Sequence, residues 1–135
     1  MALQLSILVR NARLDAIETQ IGASAVLKIR SGAPPATCAT ADSGTVLATA
    51  SLPADWLAAA ASGSKSLSGS WADASADATG TAAHYRIYAS DGTTCGLQGT
   101  VTATGGGGDM EVDNTSFAAT QAFSVTSFTI TEANA

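Results

Sequence analysis

The stretch AAHYRIYASDGTTCGLQGTVTAT, residues 82–104, decides the fold. Successive side chains of a strand point to opposite sides, so Ala83, Tyr85, Ile87 and Ala89 share one face and His84, Arg86, Tyr88 and Ser90 the other. Asp91-Gly92 follows, and a second alternating run continues with Leu97, Val101 and Ala103 on its inward side. Two alternating runs joined by Asp-Gly predict a β-hairpin, since that pair accepts the positive φ values a tight turn requires. On this reading His84, the chain's one histidine, lies with Arg86 and Tyr88 on an outward face open to solvent or to a partner.

The same period continues on both sides of the hairpin. In AVLKIR, Ala25, Leu27 and Ile29 alternate with Val26, Lys28 and Arg30. TVLATASL (residues 45–52) reads as another strand, and SGSKSLSGSW leads into one that ends near Trp71. DMEVDN is a short strand with Met110 and Val112 inward. Between these runs, residues 31–44 form a long loop, because Pro34 and Pro35 cannot donate to a ladder. Residues 72–80 form a second loop. Residues 53–61 suggest a short helical turn opened by Pro53, and Gly105 to Asp109 a flexible tip without the Lys-Ser/Thr of a phosphate loop. In the last strand Phe123 and Val125 have one parity, Phe128 and Ile130 the other. The inward face must therefore switch near Thr126-Ser127, as a β-bulge or a strand crossing between sheets would allow.

One helix precedes these strands. Ser6 suits an N-cap and Gly22 the position after the last turn. Leu8, Leu14, Ile17 and Ile21, with Ala12 and Ala16, form an apolar stripe expected to pack on the body, with a projecting arm as the alternative. Arg10 and Arg13 can pair with Asp15, Glu18 or carboxylates of a partner. The predicted architecture is thus mainly β: a β-sandwich or partly closed, jelly-roll-like barrel of about seven short strands with one N-terminal helix. The helix or arm occupies residues 1–22 and a single β-domain residues 23–135.

Composition narrows the function. A net charge of −5 with only 6 Lys and Arg residues leaves no basic patch to neutralise phosphates, which argues against nucleic-acid binding. The longest apolar stretches, such as residues 56–61, are far short of a membrane span, and the N-terminal sequence lacks the order of charge, apolar run and cleavage site of a signal peptide. Cys38 and Cys95 have neither CxxC spacing nor a nearby histidine, so no metal or other cofactor is expected. Two partly buried free thiols are the first reading of this pair and a disulfide the alternative.

No residue pattern points to catalysis. His84 has no nucleophile elbow to serve. Asp73 with Asp77, or Asp109 with Glu111 and Asp113, would supply the carboxylates of a glycosidase, but Asp favours turns and the trio alternates like the wet side of a strand. The trio also lacks the spacing of a calcium loop. Trp56 and Trp71 read as core or interface anchors, and as a sugar platform only secondarily. The chain is therefore expected not to be an enzyme.

Five segments carry a family resemblance: VRNARLDAIETQIGASAVLKIRSGAPPA (residues 9–36), ADSGTVLATASLPADW (41–56), GTAAHYRIY (80–88), and GGGGDMEVDN (105–114) with FSVTSFTITEANA (123–135). Together they resemble small proteins encoded in the virion structural modules of tailed bacteriophages and prophages. The resemblance implies a virion component made in the bacterial host cytoplasm, with no catalytic residues to carry over. A head decoration, or cement, protein must stay soluble in many copies and avoid packaged DNA, which suits an acidic, lysine-poor β-domain. The expectation is a dimer or trimer that binds the major capsid protein on the outer capsid surface. A tail, baseplate or tail-fibre protein, or a carbohydrate-binding module on the virion, are the alternatives. The expected protein contacts are Arg10 and Arg13 on the helix, the stiff Pro34-Pro35 loop, and the hairpin face of His84, Arg86 and Tyr88.

Overall fold

The computed structural model describes residues 2–134, so the first residue of the predicted helix or arm (1–22) and the last of the predicted β-domain (23–135) lie outside the described residues. The chain is mainly β with one helix. Helix α1 (Ile7–Ile21) is followed by β1 (Val26–Arg30), β2 (Val46–Ser51), β3 (Ser64–Ser66), β4 (Ala72–Asp73) and β5 (Gly80–Thr81). Then come β6 (His84–Tyr88), β7 (Cys95–Ala103), β8 (Met110–Val112), β9 (Ser116–Phe117) and β10 (Phe123–Thr131). Among the described residues ten strands thus stand where about seven were expected.

The main sheet runs β2-β1-β6-β7-β8-β10-β3, with β4 also paired to β10, while β5 and β9 form a separate pair. As ladders the sheet is open. The segment after β4 nevertheless returns to its far edge, where the amides of Asp77 and Ala78 both donate to the Leu47 carbonyl on β2.

The predicted hairpin is present. β6 and β7 pair antiparallel, with Tyr85 opposite Gly99 and Ile87 opposite Leu97. Asp91 closes the turn by accepting from the amides of Thr93 and Thr94. The parity switch in β10 is a bulge: its register against β8 shifts between Val125 and Ser127, which lets Phe123, Val125 and Phe128 all point into the core. There Phe128 lies 5.2 Å from Trp71 and meets Tyr85 edge-on at 5.6 Å, and Trp71 lies 5.9 Å from Trp56. Both tryptophans are buried, and their indole N–H groups donate to the carbonyls of Gly22 and of Trp56 and Ser68. Neither ring is open to a sugar.

Three local expectations are corrected. Residues 53–61 form no helical turn. They run as an irregular segment bridged to β3 through Leu57–Leu67 and Ala61–Ser64, because Trp56 and Leu57 are anchored in the core. The Gly105–Gly108 run is a hydrogen-bonded connection rather than a loose tip. It joins β7 to β8 in parallel, a pairing that ordinarily needs a much longer crossover. Gly105 and Gly107 take φ of +85° and +80°, and a Cβ on Gly106 or Gly108 would fall 2.7 or 2.9 Å from the Thr102 side chain. The tight return is therefore open only to glycine.

The third correction concerns the helix. Ser6 caps it, with its Oγ accepting from the Val9 amide, and Gly22 ends it, so its limits agree with the sequence. Of the expected stripe, however, only Leu14 is fully buried. Leu8 is exposed, as are Ala12 and Ala16, and Ile17 and Ile21 are half-buried. The docked face is mainly polar. Asn11 Oδ1 accepts from the Gly63 amide, Asp15 from the Ala60 amide, and Glu18 from the Leu57 amide. Asp15 and Glu18 also hold the buried Lys65 ammonium at 2.7 and 3.1 Å. The segment from 57 to 63 lacks a full ladder partner, and the helix supplies acceptors to its amides. Helix and body therefore form one continuous structure.

Candidate functional site

The outer face of β1, β6 and β7 carries Lys28, Arg30, His84, Arg86, Tyr88 and Gln98, brought together by the ladder register: Lys28 opposite Arg86, Arg30 opposite His84, Arg86 opposite Gln98. This face was expected to be open, and it is not. His84, Arg86 and Tyr88 are all buried, so β6 is covered on both sides. The cover is the loop of residues 31–44, which folds back across the sheet.

Asp42 fixes that loop. Its carboxylate accepts from Arg86 Nη1 at 2.5 Å, Arg30 Nη2 at 2.8 Å and Tyr88 Oη at 2.7 Å. The other Arg86 donors are also used, by Gln98 Oε1 and by the carbonyls of Thr37 and Thr40. Gln98 donates to the carbonyl of Pro35, and His84 Nδ1 to that of Gly32. Lys28 lies 4.9 Å from the centre of the Tyr88 ring and donates to Gly92 O. Burial alone would raise the Asp42 pKa. The hydrogen bonds from Tyr88 and Arg86 and the charges of Arg30 and Arg86 outweigh it and hold the carboxyl below its ordinary value.

His84 is a structural group in this layer. With Nδ1–H donating to Gly32, the ring is neutral, and the buried Nε2 has no hydrogen-bond partner. Burial lowers its pKa first. The Gly32 bond and Asp42 act in the opposite direction, and the guanidiniums of Arg30 and Arg86 reinforce the lowering.

The remaining predicted contacts are also engaged within the chain. Arg10 Nε donates to the Glu132 carbonyl, and Arg13 pairs with the Glu132 carboxylate at 2.7 Å. Both cations thus tie α1 to the chain following β10, and neither pairs with Asp15 or Glu18 as had been considered. Pro35 is buried under the loop while Pro34 is exposed at its rim, so of the two only Pro34 is placed for outside contact. The carboxylates weighed for catalysis hold backbone and hydroxyl donors. Asp73 accepts from Ser75, Asp77 from Thr49, Asp109 from Thr100, Glu111 from Gly105 and Asp113 from Ser124. Among the described residues no group of three or more His, Cys, Asp or Glu is arranged to hold a metal ion.

What is open lies at the start of α1. Leu3 and Leu8 are 77% and 76% exposed, with Ile7 and Val9 partly so, which leaves several large apolar side chains open on the first turn of α1 and the segment leading into it. Beyond it, between the second half of α1 and the hairpin, runs a groove of about 500 Å³ lined by Arg13, Ala16, Ile17, Ile21, Cys95 and Gly96, among others. This exposure was missed in the sequence because Leu8 was counted with the core stripe. Its neighbours Ile7 and Val9, which give three apolar residues in a row, are the signal that could have revealed it.

No known protein family, curated protein or solved structure matches this chain.

Asp42→Asn leaves two buried guanidiniums without a full counter-charge. It is expected to cost about 2–3 kcal/mol in chemical denaturation, the lower end for a broken buried pair because Asp42 is partly wet. Limited proteolysis should then cut first within residues 31–44. Unchanged stability would remove Asp42 from its assigned role. A second prediction concerns acid. The unfolded chain takes up the His84 proton near pH 6.5, and the folded chain resists it to lower pH. The stability this gives is complete above pH 6.5 and is lost as pH falls towards the folded value. Denaturation midpoints between pH 7 and 5 should fall less steeply for His84→Gln than for the wild type, and equal slopes would contradict the assignment.

Proposed function

We propose that the chain is a structural protein of a tailed-bacteriophage virion, a capsid decoration protein that binds the outside of the major capsid protein lattice. The resemblance in the five quoted segments supports the virion assignment. The observation that supports a binding role is the exposure of Leu3, Ile7, Leu8 and Val9 in the first turn of α1 and the segment leading into it, on a helix that Asn11, Leu14, Asp15 and Glu18 hold to the body further along. A contact made by a fixed element loses little entropy on binding, which suits a repeated lattice contact. The acidic charge and the few lysines favour a surface that repels packaged DNA. In this reading these side chains seat on the capsid protein, and the domain assembles as a dimer or trimer around a lattice axis.

Quantitative mass spectrometry of purified virions tests the assignment. The expected result is a copy number equal to that of the capsid protein or a simple fraction of it. A few copies to a few dozen would move the protein to tail, baseplate or fibre, and absence from particles would end the virion reading. Leu8→Asp should lower particle occupancy at least tenfold with its thermal midpoint within a few degrees of wild type, because Leu8 is not part of the core.

A further inference from the structure

Cys38 lies in the loop that covers the sheet, and Cys95 opens β7, the second strand of the hairpin. Their Sγ atoms are 2.7 Å apart. Both residues are free cysteines and both are only partly buried. Non-bonded sulfurs ordinarily stand well beyond that separation, whereas a bonded pair sits near 2.05 Å. The contact is imposed from both sides. Arg86 holds the carbonyls of Thr37 and Thr40, one residue before Cys38 and two after it. Cys95 is fixed by its ladder position opposite Tyr88, whose hydroxyl reaches Asp42 in the same loop. The same hydrogen bonds that fasten the loop to the sheet thus hold the chain on either side of Cys38 next to Cys95.

We propose that Cys38 and Cys95 form a redox-controlled cross-link that locks the 31–44 loop onto the hairpin when the protein meets a small-molecule disulfide such as oxidised glutathione. In the first step one protein thiolate attacks the glutathione disulfide, forming a mixed disulfide and releasing one glutathione thiolate. In the second, the neighbouring cysteine attacks the protein sulfur of that mixed disulfide and displaces the second glutathione thiolate. The two protein thiols are oxidised by two electrons, one molecule of oxidised glutathione becomes two of glutathione, and the two thiol protons end on them. Cys95 also lines the groove beside α1, which gives a small disulfide a way in. Burial and the adjacent Cys38 thiol push the Cys95 pKa up to about 12, which keeps Cys95 protonated and leaves closure to the proximity of the two sulfurs. The cross-link spans 57 residues of chain, and a closed loop of that length restricts the unfolded state strongly. The inference stands on the loop geometry alone and does not depend on the virion assignment.

The test uses the full chain in glutathione buffers of graded potential. Intact mass, thiol titration and non-reducing peptide mapping report the bond, and thermal unfolding reports its effect. The expected result is a loss of about 2 Da, disappearance of both titratable thiols and one peptide joining Cys38 to Cys95. The thermal midpoint should rise by roughly 10 °C and fall back when a dithiol reductant is added. Cys38→Ser should show no such rise, and comparing oxidised with reduced wild type keeps the test independent of how well that variant folds. Thiols that stay titratable in oxidised glutathione, glutathione adducts that persist without closing, or bonds only between molecules would each overturn the proposal.

Discussion

A guanidinium in the middle of a sheet, shielded from water on both sides, must find a counter-charge or the strand cannot stay there. Arg86 finds it in Asp42, 44 residues earlier in the chain. The rest of the arrangement depends on that one carboxylate. It also neutralises Arg30 and anchors the Tyr88 hydroxyl, and through Arg86 it draws the carbonyls of residues 37 and 40 onto the sheet. The 31–44 loop has no ladder of its own and few apolar side chains to bury, so polar contacts must hold it. The sheet thereby gains a covering layer on its outer face, while Tyr85 and Ile87 fill the core on the inner one, each contributing roughly 1.5–3 kcal/mol by burial.

A second cluster repeats the device with the same signs. There the ammonium of Lys65 is buried, and Asp15 and Glu18 of α1 neutralise it while accepting the amides of the segment beside β3. In both places a buried cation on a strand recruits an element that the sheet does not otherwise bond. A chain with only 13% charged residues places a large share of them in these two clusters. The first cluster accounts for the internal engagement of Arg86 and Tyr88, while Arg10 and Arg13 are taken up separately by Glu132.

The strands were legible where their signal is local. The alternation at residues 83–90 and the Asp91-Gly92 turn predict the hairpin, and the change of parity between Val125 and Phe128 predicts the bulge in β10. The cap residues predict the helix limits, for the same reason. What was not legible depends on contacts between distant segments. Polar residues alternating with apolar ones usually mean water on the polar side, and nothing in His84, Arg86 and Tyr88 announces that a proline loop will cover them. The helix was misread in the same way, since its polar face meets unpaired amides whose existence only the tertiary fold reveals. The run of four glycines looks like a flexible tip in sequence, and its role in a tight parallel return becomes visible only beside Thr102.

The central claim is that one carboxylate, ionised and shared by two buried guanidiniums, fastens the covering layer to the sheet. The most direct measurement is the pH titration of the Asp42 side-chain carboxyl carbon by nuclear magnetic resonance. The account predicts a midpoint clearly below the ordinary aspartate value of 3.8, with the signals of the Arg86 side chain and of residues 37–40 shifting in the same step as the carboxyl is protonated. A midpoint at or above that value, or protonation that leaves Arg86 and the loop unmoved, would contradict it.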